Sequence, residues 1–181
     1  MEESARRGLP NIPTMVDAIP YFATEENIRM FEKHGVLSEV EMKSREVVLY
    51  ESYAKQINLE ALTMIEMSRR EIVPAVMRYE GSIAATVKDL KAIGVSADAQ
   101  VELAKTIDDK LQSLILATNK LEKLTIKAKD YEHNPCAWAT YFRDEVFSFF
   151  DQVRTPADEL EKLVDADIWP LPTYEEMLFE Q

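Results

Sequence analysis

Three features of this sequence predict an all-α fold. Apolar residues recur at steps of three, four and seven over long stretches, glycine is scarce, and capping residues stand where the apolar stripes begin and end. Four glycines in 181 residues leave little for the tight turns of a sheet protein or for a phosphate-cradling loop. The expected architecture is an elongated antiparallel helical bundle with long, kinked helices and an extended, proline-rich N-terminal arm.

Residues 1–23 carry Gly8, Pro10, Pro13 and Pro20 without sustained periodicity, and read as that arm; residues 24–181 read as the bundle. Thr24 is placed to cap a short helix, with Glu25 and Glu26 at its positive end and Gly35 just past its C-terminus. Ser38 and Glu41 have capping-box spacing. From Glu39 a stripe runs through Val40, Val47, Tyr50, Ala54, Ile57, Ala61, Met64, Ile65, Ile72 and Val76. At 1.5 Å per residue, such a helix is a rod of roughly 60 Å. Pro74 removes one backbone donor and predicts a kink near Arg70–Ile72.

Gly81 is expected to interrupt that helix, and Ile83, Val87, Leu90 and Ile93 to form a further stripe closed by Gly94. Ser96 is placed to cap a third long helix, through Val101, Ala104, Ile107, Leu111, Leu114, Ile115, Leu121 and Leu124. Asn134 as cap and Pro135 at the first helical position start an aromatic helix. Its buried face is Trp138, Tyr141, Phe142, Val146, Phe149, Phe150 and Val153, and Thr155-Pro156 should restart or kink it. Trp169-Pro170-Leu171-Pro172 cannot be helical and should lie across the bundle. A last short helix follows, with Thr173 and Glu176 at capping-box spacing.

Composition narrows the function. Hydrophobic residues at 46% and charged residues at 30% permit a real core, while a net charge of −12 disfavours nucleic acid and anionic lipid as partners. One cysteine excludes an internal disulfide, and with two histidines it leaves too few soft ligands for structural zinc. No apolar run approaches the roughly 18 residues of a membrane span. The start, MEESARRG, lacks a signal peptide's apolar segment. A cytoplasmic protein is expected.

No catalytic constellation emerges. A di-metal bundle needs Glu three residues before its histidines, and neither His34 nor His133 has one. Cys136, near a helix start and close to His133, invites a nucleophile reading. The plainer reading packs Cys136 against the aromatic stripe and leaves His133 in a connecting turn. Glu39–Glu41, Asp108-Asp109 and Asp158–Glu161 read as solvated faces, Arg69-Arg70 as too short a basic patch to matter, and Met64, Met67 and Met77 as packing residues. No catalytic, cofactor-binding or metal-ligating residue is assigned.

Two stretches carry a resemblance. One comprises LPNIPT (9–14), Asp17-Ala18-Ile19, FEKHGV (31–36), LSEVE (37–41) and YAKQINLEALTMIEM (53–67). The other joins ADELEKLV (157–164) to WPLPTY (169–174). Together they resemble the C-terminal region of type III glutamine synthetase, the large bacterial form, from about residue 8 to the end.

The resemblance implies an enzyme that ligates ammonia to glutamate with ATP and Mg²⁺ or Mn²⁺, through a γ-glutamyl phosphate, in stacked hexameric rings. It also implies that the metal, ATP and glutamate ligands lie in an upstream catalytic domain, so none maps onto this chain. The isolated chain is then expected to be inactive and to serve structure or subunit assembly within a homo-oligomer. The alternatives are a free-standing helical interaction or scaffold protein, and a small enzyme with an unrecognised pocket.

Overall fold

The computed structural model describes residues 6–9, 11–172 and 174–178, and among them there are helices and turns but no strand. The all-α expectation holds. The chain divides into two compact units, Met1–Leu59 with Thr125–Ser148, and Glu60–Leu124 with Phe149–Gln181.

The first unit opens with a helix where an extended arm was expected. α1 spans Met15–Phe22 and carries Pro20 inside it. Thr14 caps it: its Oγ1 accepts from the Asp17 N–H at 3.2 Å and donates to Asp17 Oδ2 at 2.7 Å. Val16 and Ile19 are buried on this short amphipathic helix against Tyr50 and Ala139, and that burial outweighs the donor lost at Pro20. The arm reading over 15–22 is therefore corrected.

α2 is Glu25–Lys33, capped by Thr24 as expected. Gly35 takes φ 64°, and the bonds Val36 N–H to Phe31 carbonyl and Gly35 N–H to Glu32 carbonyl, both at 3.0 Å, complete a Schellman motif. Ser38 and Glu41 form the expected capping box, with Ser38 N–H on Glu41 Oε2 at 2.8 Å. Those bonds to Ser38 hold the Glu41 carboxyl below its ordinary pKa.

α3 runs Glu39–Met67. Its stripe holds from Tyr50 onward but not before: Met42 is fully buried while Val40 is 78% exposed and Val47 44% exposed. Met42 packs with Ala23 and Ile28 in a small cluster supported by Phe22, Phe31 and Leu37, and so sets which face turns inward. The unit is completed by a 3₁₀ turn at Ala128–Tyr131, by α6 at Pro135–Tyr141 under the expected Asn134 cap, and by a π-turn at Phe142–Val146. Tyr131 and Tyr141 stack with centroids 4.6 Å apart, and Trp138 meets Phe142 edge-on at 5.7 Å.

In the second unit the locus expected to kink is a π-turn, Ser68–Ile72, in which the Val73 N–H reaches back to the Ser68 carbonyl. Pro74 follows it and offers the Arg70 carbonyl no donor, so a wider turn there forfeits little. α4, Val73–Ala92, then passes straight through Gly81. Gly81 is exposed, has no positive φ and adds only a propensity cost, so the expected break is corrected.

Gly94 does terminate α4, with φ 81° and a second complete Schellman motif to Leu90 and Lys91. α5 is Asp98–Lys127. It starts after Ala97, whose carbonyl accepts its first bond, while the Ser96 hydroxyl donates to Asp98 Oδ2 at 2.6 Å instead of capping.

The aromatic segment is less regular than one helix: a 3₁₀ turn at Phe147–Phe149 precedes α7, Phe150–Glu161. Pro156 neither ends nor restarts α7 but is buried within it. Residues 169–172 are non-helical as expected, with Trp169 half-buried. α8, Tyr174–Leu178, follows; its expected cap, Thr173, lies outside the described residues.

Candidate functional site

The residues with chemical potential do not converge. His34 is the exposed C-cap of α2, and His133 lies exposed in the turn before α6, as its plainer reading had it. Cys136 does not join the aromatic stripe. It is exposed, and it lies beside Tyr50. Met64 and Met67 are half-buried, whereas Met77 is 60% exposed and is no packing residue.

Among the described residues no three His, Cys, Asp or Glu side chains are grouped to hold a metal ion. Gly35 and Gly94 end helices and Gly81 lies inside one, so none of the three shapes a phosphate-cradling loop. No helix is long and apolar enough to cross a membrane among the described residues.

Instead, each unit carries a polar constellation at its π-turn, involving the first two residues of Ser68–Ile72 and the second residue of Phe142–Val146. In the second unit the Ser68 hydroxyl, 2% exposed, meets the Thr118 hydroxyl, 1% exposed, at 2.8 Å. Thr118 donates its proton to the Leu114 carbonyl at 2.8 Å, so Ser68 is the donor of the pair. Next to it Arg69 forks Glu122 with two bonds of 2.6 Å and reaches Asn119 Oδ1 at 2.9 Å. Arg69, which by sequence belongs to a short basic patch, is thus a bidentate clamp, and it holds the Glu122 carboxyl below its ordinary pKa.

In the first unit Arg143 plays the corresponding part. Its Nε and Nη2 grip Asp144 at 2.6 and 3.1 Å, and its Nη1 binds Asp17 Oδ1 at 2.6 Å across 126 residues of sequence. The guanidinium holds the Asp144 carboxyl below the usual carboxylate range. Beside this ion pair lies a depression of about 470 Å³. Its polar lining includes Asp17, Arg143, Tyr50, Cys136 and Thr140, and its apolar wall includes Ile12, Pro13, Val16 and Pro20. Burial, then the contact with Cys136, pushes the Tyr50 phenol upward, so it is neutral at any physiological pH.

These groups can bind and hold. Neither constellation pairs a nucleophile with an oriented base, and both arginines are engaged largely by carboxylates of the chain itself. Sequence reasoning missed both, because Arg69–Glu122 and Arg143–Asp17 join residues 53 and 126 positions apart. The Thr14-x-x-Asp17 spacing was the one available signal, since it marks a helix start.

The chain has relatives among known proteins. Residues 1–91 match the family model described as the glutamine synthetase C-terminal domain. The chain is 33% identical over 181 residues to a glutamine synthetase of Butyrivibrio fibrisolvens, covering 99% of this chain and 26% of that protein. It is 31% identical over 186 residues to a type-3 glutamine synthetase of Dictyostelium discoideum, covering 98% of this chain and 25% of that protein. A glutamine synthetase of Bacteroides fragilis is 24% identical over 184 residues, again with 98% of this chain and 25% of the relative covered. The chain thus spans about a quarter of the length of these relatives. A type-3 protein in Dictyostelium also means that this likeness assigns no bacterial source.

Proposed function

Because the chain belongs to the glutamine synthetase C-terminal domain family, we propose that it acts as the non-catalytic, helical C-terminal part of a type III glutamine synthetase and supports subunit assembly. In this reading the ligation of ammonia to glutamate, with its ATP and Mg²⁺ or Mn²⁺, belongs to an upstream catalytic domain, and the enzyme is a cytoplasmic homo-oligomer serving nitrogen metabolism. The observation that carries the reading is the end-to-end likeness to about a quarter of each relative.

A surface suited to assembly is present in the first unit. Val40 and Val47 stand two turns apart on one face of α3, 78% and 44% exposed, with Val48 beside them 55% exposed. Exposed apolar side chains in a row favour a partner surface over water.

The test is a chimera in which this chain replaces the matched quarter of the Butyrivibrio fibrisolvens enzyme. It should form γ-glutamyl hydroxamate and sediment as the parent assembly does, and Val40→Glu with Val48→Glu should reduce its size. A fully active chimera that sediments as a monomer would refute the assembly role. Hydroxamate formation by the isolated 181-residue chain would refute the non-catalytic assignment.

A further inference from the structure

α1 is tied to the rest of the first unit along one face and at one end. On its face, Val16 and Ile19 are buried against Tyr50 and Ala139, and Asp17 Oδ1 meets Arg143 Nη1 at 2.6 Å. At its C-terminal end the backbone leaves the helix at Ala23, with φ −110° and ψ 38°. Ala23 is buried with Ile28 and Met42. Its carbonyl accepts from Lys43 Nζ at 3.2 Å, and the Tyr21 carbonyl accepts from Asn27 Nδ2 at 2.7 Å. That end is therefore pinned to α2 and α3, independently of how the face is docked.

The helix cannot stand alone. It has eight residues, fewer than the roughly 12–15 at which an isolated helix becomes marginal in water. Pro20 also leaves the Val16 carbonyl without its helical donor. α1 thus exists only while docked, and undocking and unfolding are one event. Its seat is not flush: the depression of about 470 Å³ is lined by Val16 and Pro20 from α1 and by Tyr50, Cys136 and Thr140 from α3 and α6. Along that stretch packing contacts between α1 and its seat are forfeited. Asp17 is the one charged residue of α1, so salt acts on its side-chain charge at that position alone.

We propose that α1 is a hinged strap: it undocks as one unit, pivoting at Ala23, while the rest of the first unit stays folded, and Asp17–Arg143 is its clasp. The receiving half of the clasp is preformed. Asp144 holds Arg143 Nε and Nη2 at 2.6 and 3.1 Å, which fixes the guanidinium with Nη1 toward Asp17. When α1 leaves, Asp144 still neutralises Arg143 and Asp17 passes to water, so the open state strands no unpaired charge. Arg143 is then a positioning residue for α1. The Asp17 and Arg143 side chains are 41% and 22% exposed, so ionic strength sets the open fraction and with it the uncovering of Tyr50 and Ala139.

The experiment is amide hydrogen exchange of the 181-residue chain, resolved by NMR in rising, sub-denaturing urea. The Ala18 and Phe22 amides of α1 should share one protection factor, lower than that of Ala54 and Ile57 in α3. They should also depend much less on urea, because opening the strap exposes little surface. Asp17→Asn keeps the side-chain size and an acceptor for Thr14, and should speed α1 exchange about fivefold. Raising NaCl from about 0.05 M to about 0.5 M should speed it in the wild type but not in that variant. α1 amides with the protection and urea slope of Ala54 and Ile57 would overturn the strap, since α1 would then open only with the whole unit. Unchanged α1 exchange in a folded Asp17→Asn variant would overturn the clasp. Should that variant not fold, wild-type α1 exchange that ignores salt would overturn the clasp equally.

Discussion

The two π-turns, Ser68–Ile72 and Phe142–Val146, share a plan and differ in what fills it. Each buries its first and last residues, Ser68 and Ile72 in one and Phe142 and Val146 in the other. Each carries at its second position an arginine that grips a carboxylate distant in sequence. At Ser68 the buried first residue is a hydroxyl with a buried hydroxyl partner, and Pro74 stands just beyond the turn. At Phe142 it is an aromatic ring set against Trp138, with no proline in the turn or in the five residues after it. A π-turn can therefore accompany a missing donor or arise where aromatic packing and an arginine clasp favour the extra residue. Only the first cause is visible in a sequence.

The largest expected break is at the aromatic turn. Phe142 is 1% exposed, so Phe142→Ala should lower unfolding free energy by about 3–5 kcal/mol in chemical denaturation. A loss below about 1 kcal/mol would mean that the ring does not hold the turn.

At the hydroxyl turn the effect should be smaller and depend on which partner goes. Thr118→Val leaves the buried Ser68 hydroxyl without its acceptor and should cost about 1–3 kcal/mol. Ser68→Ala should cost less, because Thr118 keeps its bond to the Leu114 carbonyl. The double variant should then be more stable than the sum of the single losses predicts. Strict additivity in that cycle would show that the two hydroxyls are not coupled.

The arginine clasps should come next. Arg143→Gln should lose about 1 kcal/mol, since the pair is only partly buried and water screens it. It should also flatten the acid limb of the stability profile. The Asp144 pKa is lowered in the folded state by Arg143, so its stabilisation is present above the ordinary aspartate value. It is lost as pH falls through the lower folded one, below about pH 4. Glu80 works in the opposite sense, because burial and then Asp108 raise its pKa and stability rises as it protonates. An acid limb steeper in Arg143→Gln than in the wild type would contradict the assigned role of Arg143.

The smallest change tests neither turn and serves as the reference. Gly81 lies inside α4, is exposed, and a Cβ there meets nothing within 4 Å. Gly81→Ala should stabilise the chain by about 0.5 kcal/mol in the same denaturation assay. A destabilised variant would show that α4 does break at Gly81.

The sequence alone determined the helical class, the caps at Thr24, Ser38 and Asn134, and the ends at Gly35 and Gly94, because each of these is settled by groups within six residues of one another. It also marked the stretch before Pro74 as irregular, since a missing donor acts on its own helix, although a kink was expected there and a π-turn is what stands. Tertiary structure decided the rest. Val16 and Ile19 made α1 a helix by finding Tyr50 and Ala139, and Met42 took the inward face from Val40 and Val47 by finding Ala23 and Ile28. Cys136 acquired Tyr50 as its neighbour, and the depression acquired its ion pair only when Asp17 met Arg143. Local hydrogen bonds write themselves into spacing, whereas burial and long-range ion pairs depend on which surfaces the folded chain brings together.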